Sequence, residues 1–208
     1  MRCFLTRLGA LVVVGVVVGS STPARALERE LQLNTFTDVS VLRQGGDLFH
    51  GLGVGAGVHY GWLDWVGGEV DLQFRSFSGV SSSDGRSEGE IVYDLEHYLL
   101  TTGLYTAWGY PWTVTGFVGF IFGFESSRNQ ARLDGRGILV EHPDDALDLR
   151  GGVRAALGIE RRLFHEFALG FSCKLEAPLS QSATPAELSG PGQLVVSGNL
   201  IASWYLYP

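Results

Sequence analysis

With 208 residues and 22 acidic against 15 basic side chains, a formal charge of −7, the chain lacks the basic surface that phosphate-backbone binding requires, which excludes nucleic acid as a partner. Its 29 glycines follow no Gly-x-y period, and its two cysteines, Cys3 and Cys173, are too few for a disulfide-stapled scaffold. Beyond the N-terminus no apolar stretch reaches helix-spanning length, the longest, Phe117 to Phe124, being broken by Gly119 and Gly123.

The N-terminus carries Arg2 and Arg7, an apolar run from Leu8 to Gly19, then Ser20-Ser21-Thr22-Pro23 and the small-residue motif Ala24-Arg25-Ala26. This is the three-part layout of a secretory signal peptide cleaved after Ala26, and it divides the chain into residues 1–26 and a domain over 27–208. The apolar run is shorter than the roughly 17–25 residues of a membrane-spanning helix, so it does not read as an anchor. Cys3 lies too early for a lipoprotein cleavage site. Cleavage removes three of the fifteen basic residues and no acid, leaving 12 basic against 22 acidic residues and a formal charge of −10. It also leaves Cys173 alone, so no internal disulfide can form and the thiol reads as a small hydrophobe.

Eight strand-like segments follow. The first, Leu31 to Leu42, sets Leu33, Thr35, Thr37, Val39 and Val41 on one face and Gln32, Asn34, Asp38 and Ser40 on the other. The second, Leu48 to Trp62, alternates Leu52, Val54, Ala56, Val58 and Tyr60 with Gly51, Gly53, Gly55, Gly57 and Gly61. The third, Val66 to Phe77, opposes Val70, Leu72 and Phe74 to Glu69, Asp71, Gln73 and Arg75, a row of polar groups that a soluble core would have to partner one by one. In the fourth, Ile91 to Trp108, the apolar side is read as Tyr93, Leu95 and Leu99 and the other as Asp94, Glu96 and Tyr98.

After the turn Gly109-Tyr110-Pro111-Trp112 comes the fifth strand, Thr113 to Glu125, with Val114, Val118, Phe120, Phe122 and Phe124 on one face. The sixth and seventh, Leu147 to Leu163 and Phe167 to Leu179, carry the longest alternation in the chain. Leu149, Val153, Leu157 and Ile159 oppose Asp148, Arg150, Arg154, Glu160 and Arg162; Leu169, Phe171, Cys173 and Leu175 oppose Lys174 and Glu176. The eighth, Gln193 to Tyr207, opposes Leu194, Val196, Leu200, Ala202, Trp204 and Leu206 to Ser197, Asn199 and Ser203.

Period-2 alternation over such lengths is the pattern of β-strands, because successive side chains point to opposite faces. Soluble strands average about 5–6 residues, whereas a tilted membrane-spanning strand needs roughly 9–11. In hydrocarbon every backbone polar group needs an internal partner, so such strands must close into a barrel without edges. The connections after the second, fourth and sixth strands are short and those after the third, fifth and seventh are long, the arrangement of an outer-membrane barrel with short periplasmic turns and long outer loops. Tyr60, Trp62, Trp65, Trp108, Tyr110, Trp112, Trp204, Tyr205 and Tyr207 all flank the short-turn end, as an interfacial aromatic girdle does. Arg161, the one charge on the apolar face of the sixth strand, lies near the same rim, where it can snorkel. The sequence therefore predicts an all-β fold, an eight-stranded antiparallel up-and-down transmembrane β-barrel.

On these features the mature chain, about Leu31 to Tyr207, resembles the small eight-stranded outer-membrane barrels of the OmpA/OmpX/OmpW type. The resemblance implies residence in the cell outer membrane, contact with outer-membrane lipid and passage through the barrel assembly machinery. That machinery reads a C-terminal strand like Gly198 to Tyr207, here followed by Pro208. It implies a monomer without the periplasmic domain of the larger members and without a cofactor.

The expected interior charges are Asp38, Glu69, Asp71, Arg75, Asp94, Glu96, Asp148, Arg150, Arg154, Glu160, Arg162, Lys174 and Glu176. Eight strands enclose a space just wide enough for side chains, so these charges are expected to close into a salt-bridge plug rather than line a channel. Arg150, Arg154 and Arg162 are expected to enter the space over Gly51 to Gly61 and to pair with acids on the third and fourth strands. None of His50, His59, His97, His142 and His165 stands in a His-x-Ser or Gly-x-Ser-x-Gly setting, so no catalytic residue is assigned. His97, expected on the lipid face beside Glu96 and Tyr98 and near Asp94, is the histidine weighed for a catalytic role, but no nucleophile accompanies it. His142-Pro143-Asp144-Asp145 reads as a solvated acidic loop rather than a cation site, and no metal is assigned.

The function expected is a non-enzymatic barrel with a structural or surface-interaction role, a surface partner being bound through loops 126–146 and 180–192. The alternatives are a lipid-modifying barrel enzyme, a narrow pore for small solutes, and a soluble periplasmic lipocalin-like binding protein.

Overall fold

A computed structural model of the chain describes residues 30–44, 47–82, 89–134, 139–141, 146–179 and 194–206. The signal-peptide reading, the loop 180–192, residues 135–138 and 142–145 and Tyr207 lie outside the described residues. Residues 126–134 and 139–141 are strand, so the loop expected over 126–146 is corrected to a much shorter connection. The strands are β1 (Leu31–Gln44), β2 (Asp47–Gly61), β3 (Val66–Ser82), β4 (Gly89–Trp108) and β5 (Trp112–Asp134), then the short β6 (Leu139–Glu141), β7 (Ala146–Phe164), β8 (Phe167–Pro178) and β9 (Leu194–Leu206).

Each strand pairs antiparallel with its neighbours, β1 meets β9, and β4 meets β5, so eight strands close on themselves while β6 pairs only with the far end of β5. Closure gives every long strand a ladder on both edges, the condition for burying backbone in hydrocarbon. The short connections are compact: Trp62 N–H donates to the Val66 carbonyl at 3.0 Å, Gly109 turns at φ 106°, and Phe164 faces Phe167 across β7 and β8. A positive φ is reached without strain by glycine, which accounts for Gly109 at that corner.

Alternation along the strands decides what faces in and out. The exterior is apolar, with Leu72, Leu157 and Leu200 on three different strands left 65%, 64% and 68% exposed. So extensive an apolar surface is unsuited to water. Trp62, Trp65, Trp108, Tyr110, Trp112 and Trp204 are exposed around the short-turn rim with Tyr60 beside them, and the Arg161 guanidinium lies 5.3 Å from the centre of the Trp112 ring. Tyr205 is a correction: it is buried inside the barrel and donates its hydroxyl to Glu160 at 2.9 Å. The period-2 register forces this, since Trp204 and Leu206 on either side both point out.

β4 holds the second correction. Leu95, His97, Leu99 and Thr101 point inward, and Asp94, Glu96 and Tyr98 outward, so neither acid is a lumen charge and His97 does not face lipid. β4 has 20 residues and β5 has 23, far beyond the roughly 9–11 that a span requires. On β4 the outward residues from Trp108 to Tyr98 complete such a span, and Glu96 and Asp94 come after it. Tyr98 lies 5.1 Å from Phe74 and donates to Glu96 at 2.9 Å, an aromatic with one wet end. Ser76 and Ser78 on β3 are exposed at the same level, pairing with Glu96 and Asp94. The exterior turns polar there because the strands have left the apolar band.

Candidate functional site in the barrel lumen

The lumen is filled by side chains in layers. Nearest the long connections, Leu42, Phe49, Phe77, Leu95 and Val195 pack into a fully buried apolar cluster. Below it, Glu125 on β5 takes the Arg150 Nη1 and sits 2.9 Å from His97 Nε2, while the His97 ring lies 4.9 Å from Phe77.

The central layer is a closed circuit of five side chains from four strands. Arg75 on β3 reaches across to Glu176 on β8, with Nη1 to Oε2 at 2.6 Å and Nη2 to Oε1 at 2.7 Å. Its Nε is 3.0 Å from Asp38 Oδ1 on β1. Arg154 on β7 donates Nε to Glu176 Oε1 at 2.9 Å and Nη2 to Gln73 Oε1 at 2.7 Å, and Gln73 donates to Asp38 Oδ2 at 3.1 Å, closing the ring. Two guanidiniums meet two carboxylates, so the circuit is neutral. Mutual charge pairing of this kind is what permits charges in a dry interior, although Arg154 Nη1 is left without a hydrogen-bond partner.

Nearer the short turns, Glu160 accepts from Gln32 at 3.3 Å and from Tyr205. The Arg162 guanidinium lies 3.8 Å from the centre of the Tyr205 ring and donates to Glu30 Oε1 at 3.1 Å. His59 stands among Gln32, Asn34, Glu69 and Asp71. Lys174 lies over the Phe36 ring at 3.6 Å.

Thus Asp38, Glu69, Asp71, Arg75, Arg150, Arg154, Glu160, Lys174 and Glu176 are buried, and Asp148 and Arg162 are half-buried. The expected pairings change. Arg154 does approach the third strand, 3.9 Å from Asp71, but Arg150 pairs with Glu125 and Arg162 with Glu30. The glycine face of β2 is filled from beside it rather than from across the lumen. A Cβ on Gly51 would strike the Phe77 ring, one on Gly53 the Arg75 side chain, one on Gly55 the Phe36 ring, and one on Gly57 the Asp71 carboxylate. Adjacent strands deliver their large side chains first because the pleat brings them closest.

Glu30, Gln32, Asn34, His59, Gln73, His97 and Glu125 complete the network although none is among the charges singled out from the sequence. Their signal is parity: His59 shares its face with Gly57 and Gly61, and Asn34 shares its face with Asp38.

A closed eight-stranded antiparallel sheet with an apolar outside, an aromatic rim and a filled polar inside admits comparison with known folds. The chain has the fold of an eight-stranded outer-membrane barrel. This barrel superposes on Ail, the attachment invasion locus protein of Yersinia pestis, with a TM-score of 0.55 at 13% identity, over 86% of this chain and 100% of Ail. Neisserial surface protein A gives 0.54 at 9% identity, over 87% of this chain and 100% of its own. The outer membrane protein OprG from Pseudomonas aeruginosa gives 0.53 at 10% identity, over 88% and 99%. No family model matches the sequence, and no curated protein matches it. At such identities the shared outer-membrane-barrel fold is conserved in shape alone.

Proposed function

We propose that the protein is a non-enzymatic integral outer-membrane barrel, exported with cleavage after Ala26, which acts structurally or through its outer loops. The observation that carries this reading is the pairing of an apolar belt outside with a neutral, charge-paired circuit inside, Asp38–Arg75–Glu176–Arg154–Gln73. The circuit and the apolar cluster of Leu42, Phe49, Phe77, Leu95 and Val195 together support a plugged lumen over a pore. Against an enzymatic role stand the contacts of the two buried histidines, which are carboxylates, amides, a guanidinium and aromatic rings rather than a hydroxyl nucleophile. A rigid scaffold with long connections at one end fits recognition through residues 126–146 and 180–192, the protein being a monomer in lipid.

Gel mobility tests the reading. Refolded in detergent, the 27–208 chain should run faster in SDS before boiling than after, and should carry no current across a planar bilayer. A soluble protein with identical mobility in both lanes would bring back the lipocalin-like alternative, and steady conductance would bring back the pore.

A further inference from the structure

Just above the short-turn rim, bordered by all eight strands of the barrel, lies a small lumen cavity of about 30 Å³, lined by Asn34, His59, Glu69, Asp71, Glu160 and Lys174 among others. That is room for one water molecule or one ion. Three carboxylates against one ammonium leave this lining with two negative charges, His59 taken as neutral. Arg154 Nη1 lies 3.9 Å from Asp71 Oδ2 but is held by Glu176 and Gln73 in the neutral circuit, so the surplus calls for a counter-ion or for protons on the acids.

The donor atoms converge. One ligand atom each from His59, Glu69 and Asp71 lies within 4.8 Å of the others, His59 Nε2 being 3.1 Å from Glu69 Oε2 and 3.9 Å from Asp71 Oδ1. Around a tetrahedral ion with bonds of about 2.1 Å, donors stand about 3.4 Å apart, so closure needs only small side-chain movements. A second observation points the same way. Asn34, 5% exposed, leaves Oδ1 without a hydrogen-bond partner, and so does Asp71 at Oδ1. Both oxygens crowd the same place over Gly57, where a Cβ would meet Asn34 Oδ1 at 2.6 Å and Asp71 more closely still. Two buried acceptors side by side repel unless a proton or a cation lies between them, and a cation removes the surplus charge as well.

We infer that His59, Glu69, Asp71 and the Asn34 carbonyl oxygen form a site for one divalent transition-metal cation. One imidazole nitrogen with carboxylate and amide oxygens suits Zn²⁺ or Mn²⁺. The ion balances the two surplus charges and ties β1, β2 and β3 together inside the short-turn end. Lys174, held over Phe36 on the opposite wall, keeps its own place. Gln32 Oε1 holds His59 Nδ1 at 3.2 Å, orienting the ring with Nε2 toward the acids. There Nε2 now meets Asn34 Nδ2 at 2.7 Å, a contact the ion replaces as the amide turns its oxygen to the metal.

The test uses the 27–208 chain refolded with Zn²⁺ or Mn²⁺, dialysed and assayed by elemental analysis, then stripped with chelator and titrated by calorimetry. One equivalent per barrel is expected, with affinity falling roughly tenfold or more in Asp71→Asn and His59→Gln, and unchanged in the exterior variant Glu96→Gln. Boiled and unboiled gel lanes report which variants are folded, and the wild-type stoichiometry stands independently of them. A folded wild-type barrel that holds no stoichiometric metal overturns the inference. So does binding that survives Asp71→Asn but is lost in an Asp144→Asn, Asp145→Asn variant.

Discussion

Arg75 and Glu176 join opposite walls of the barrel by two parallel hydrogen bonds of 2.6 and 2.7 Å, although 101 residues separate them in the chain. β3 and β8 stand four strands apart in either direction around the ring, so this pair is a strut across its full width. Glu176 also takes Arg154, which makes it the common anion of two buried guanidiniums. Removing one partner of a buried pair leaves the other charge stranded, at about 3–5 kcal/mol. Glu176→Gln is therefore expected to lower stability by that amount in urea titrations monitored by tryptophan fluorescence. An unchanged midpoint would mean that the lumen is wet enough to solvate both arginines.

Depth along the outer wall should set the tolerance to charge. Leu72 lies midway along the apolar belt, whereas Ser78, on the same face of β3, lies at the level where Asp94 and Glu96 point outward. Leu72→Arg is expected to cost about 2–4 kcal/mol and Ser78→Arg about 0–1 when both are unfolded from lipid vesicles. Equal and small effects would contradict a lipid-facing wall.

Gly57 and Gly151 make a matched pair. A Cβ on Gly57 runs into the Asp71 carboxylate, while one on Gly151 meets nothing within 4 Å. Gly57→Ala is expected to destabilise by about 1–3 kcal/mol through overpacking, and Gly151→Ala to be neutral or mildly stabilising. Thermal unfolding followed on gels, band by band, checks both.

Cys173 is the single thiol of the 27–208 chain, and it is exposed on the outer wall of β8 between Phe171 and Leu175. In vesicles a charged, membrane-impermeant maleimide should leave it unlabelled until the barrel is boiled, whereas an apolar maleimide should reach it in the folded protein. Rapid labelling by the charged reagent would place this wall in water.

Much of the architecture is legible in the amino-acid sequence, because period 2 is a strong signal where one wall is greasy and the other polar. β1, β2 and β3 begin within a residue of where alternation begins, and Arg154, Lys174 and Glu176 fall on the wall their parity demands. Around Asp94-Leu95-Glu96-His97-Tyr98 both parities are mixed. The rule that polar points inward holds only inside the apolar belt, so it inverts where β4 rises out of it. The pairings are not legible in the same way. Parity gives a residue's wall but neither its height nor its neighbours around the circumference, and these follow from the stagger of the closed sheet. Arg150 meets Glu125 rather than an acid of β3 or β4 for that reason.

The projecting part of β4 and β5 has one more consequence. Beyond the belt, β4 stays paired with β3 as far as Ser82 against Glu90, and β5 stays paired with β4 as far as Asp134 against Gly89. On its other side β5 is covered by β7 up to Ser127 and then touched by β6 through Arg132 and Leu133. Among the described residues the unpaired main chain at this end is confined to short stretches, including 79–82 of β3 on the β2 side, 128–131 of β5 and 146–150 of β7 on the β8 side, which is little template for strand addition or edge-to-edge aggregation. Main-chain pairing with an incoming segment or a neighbouring copy is thereby limited to four or five residues at a time, so recognition from outside rests chiefly on side chains.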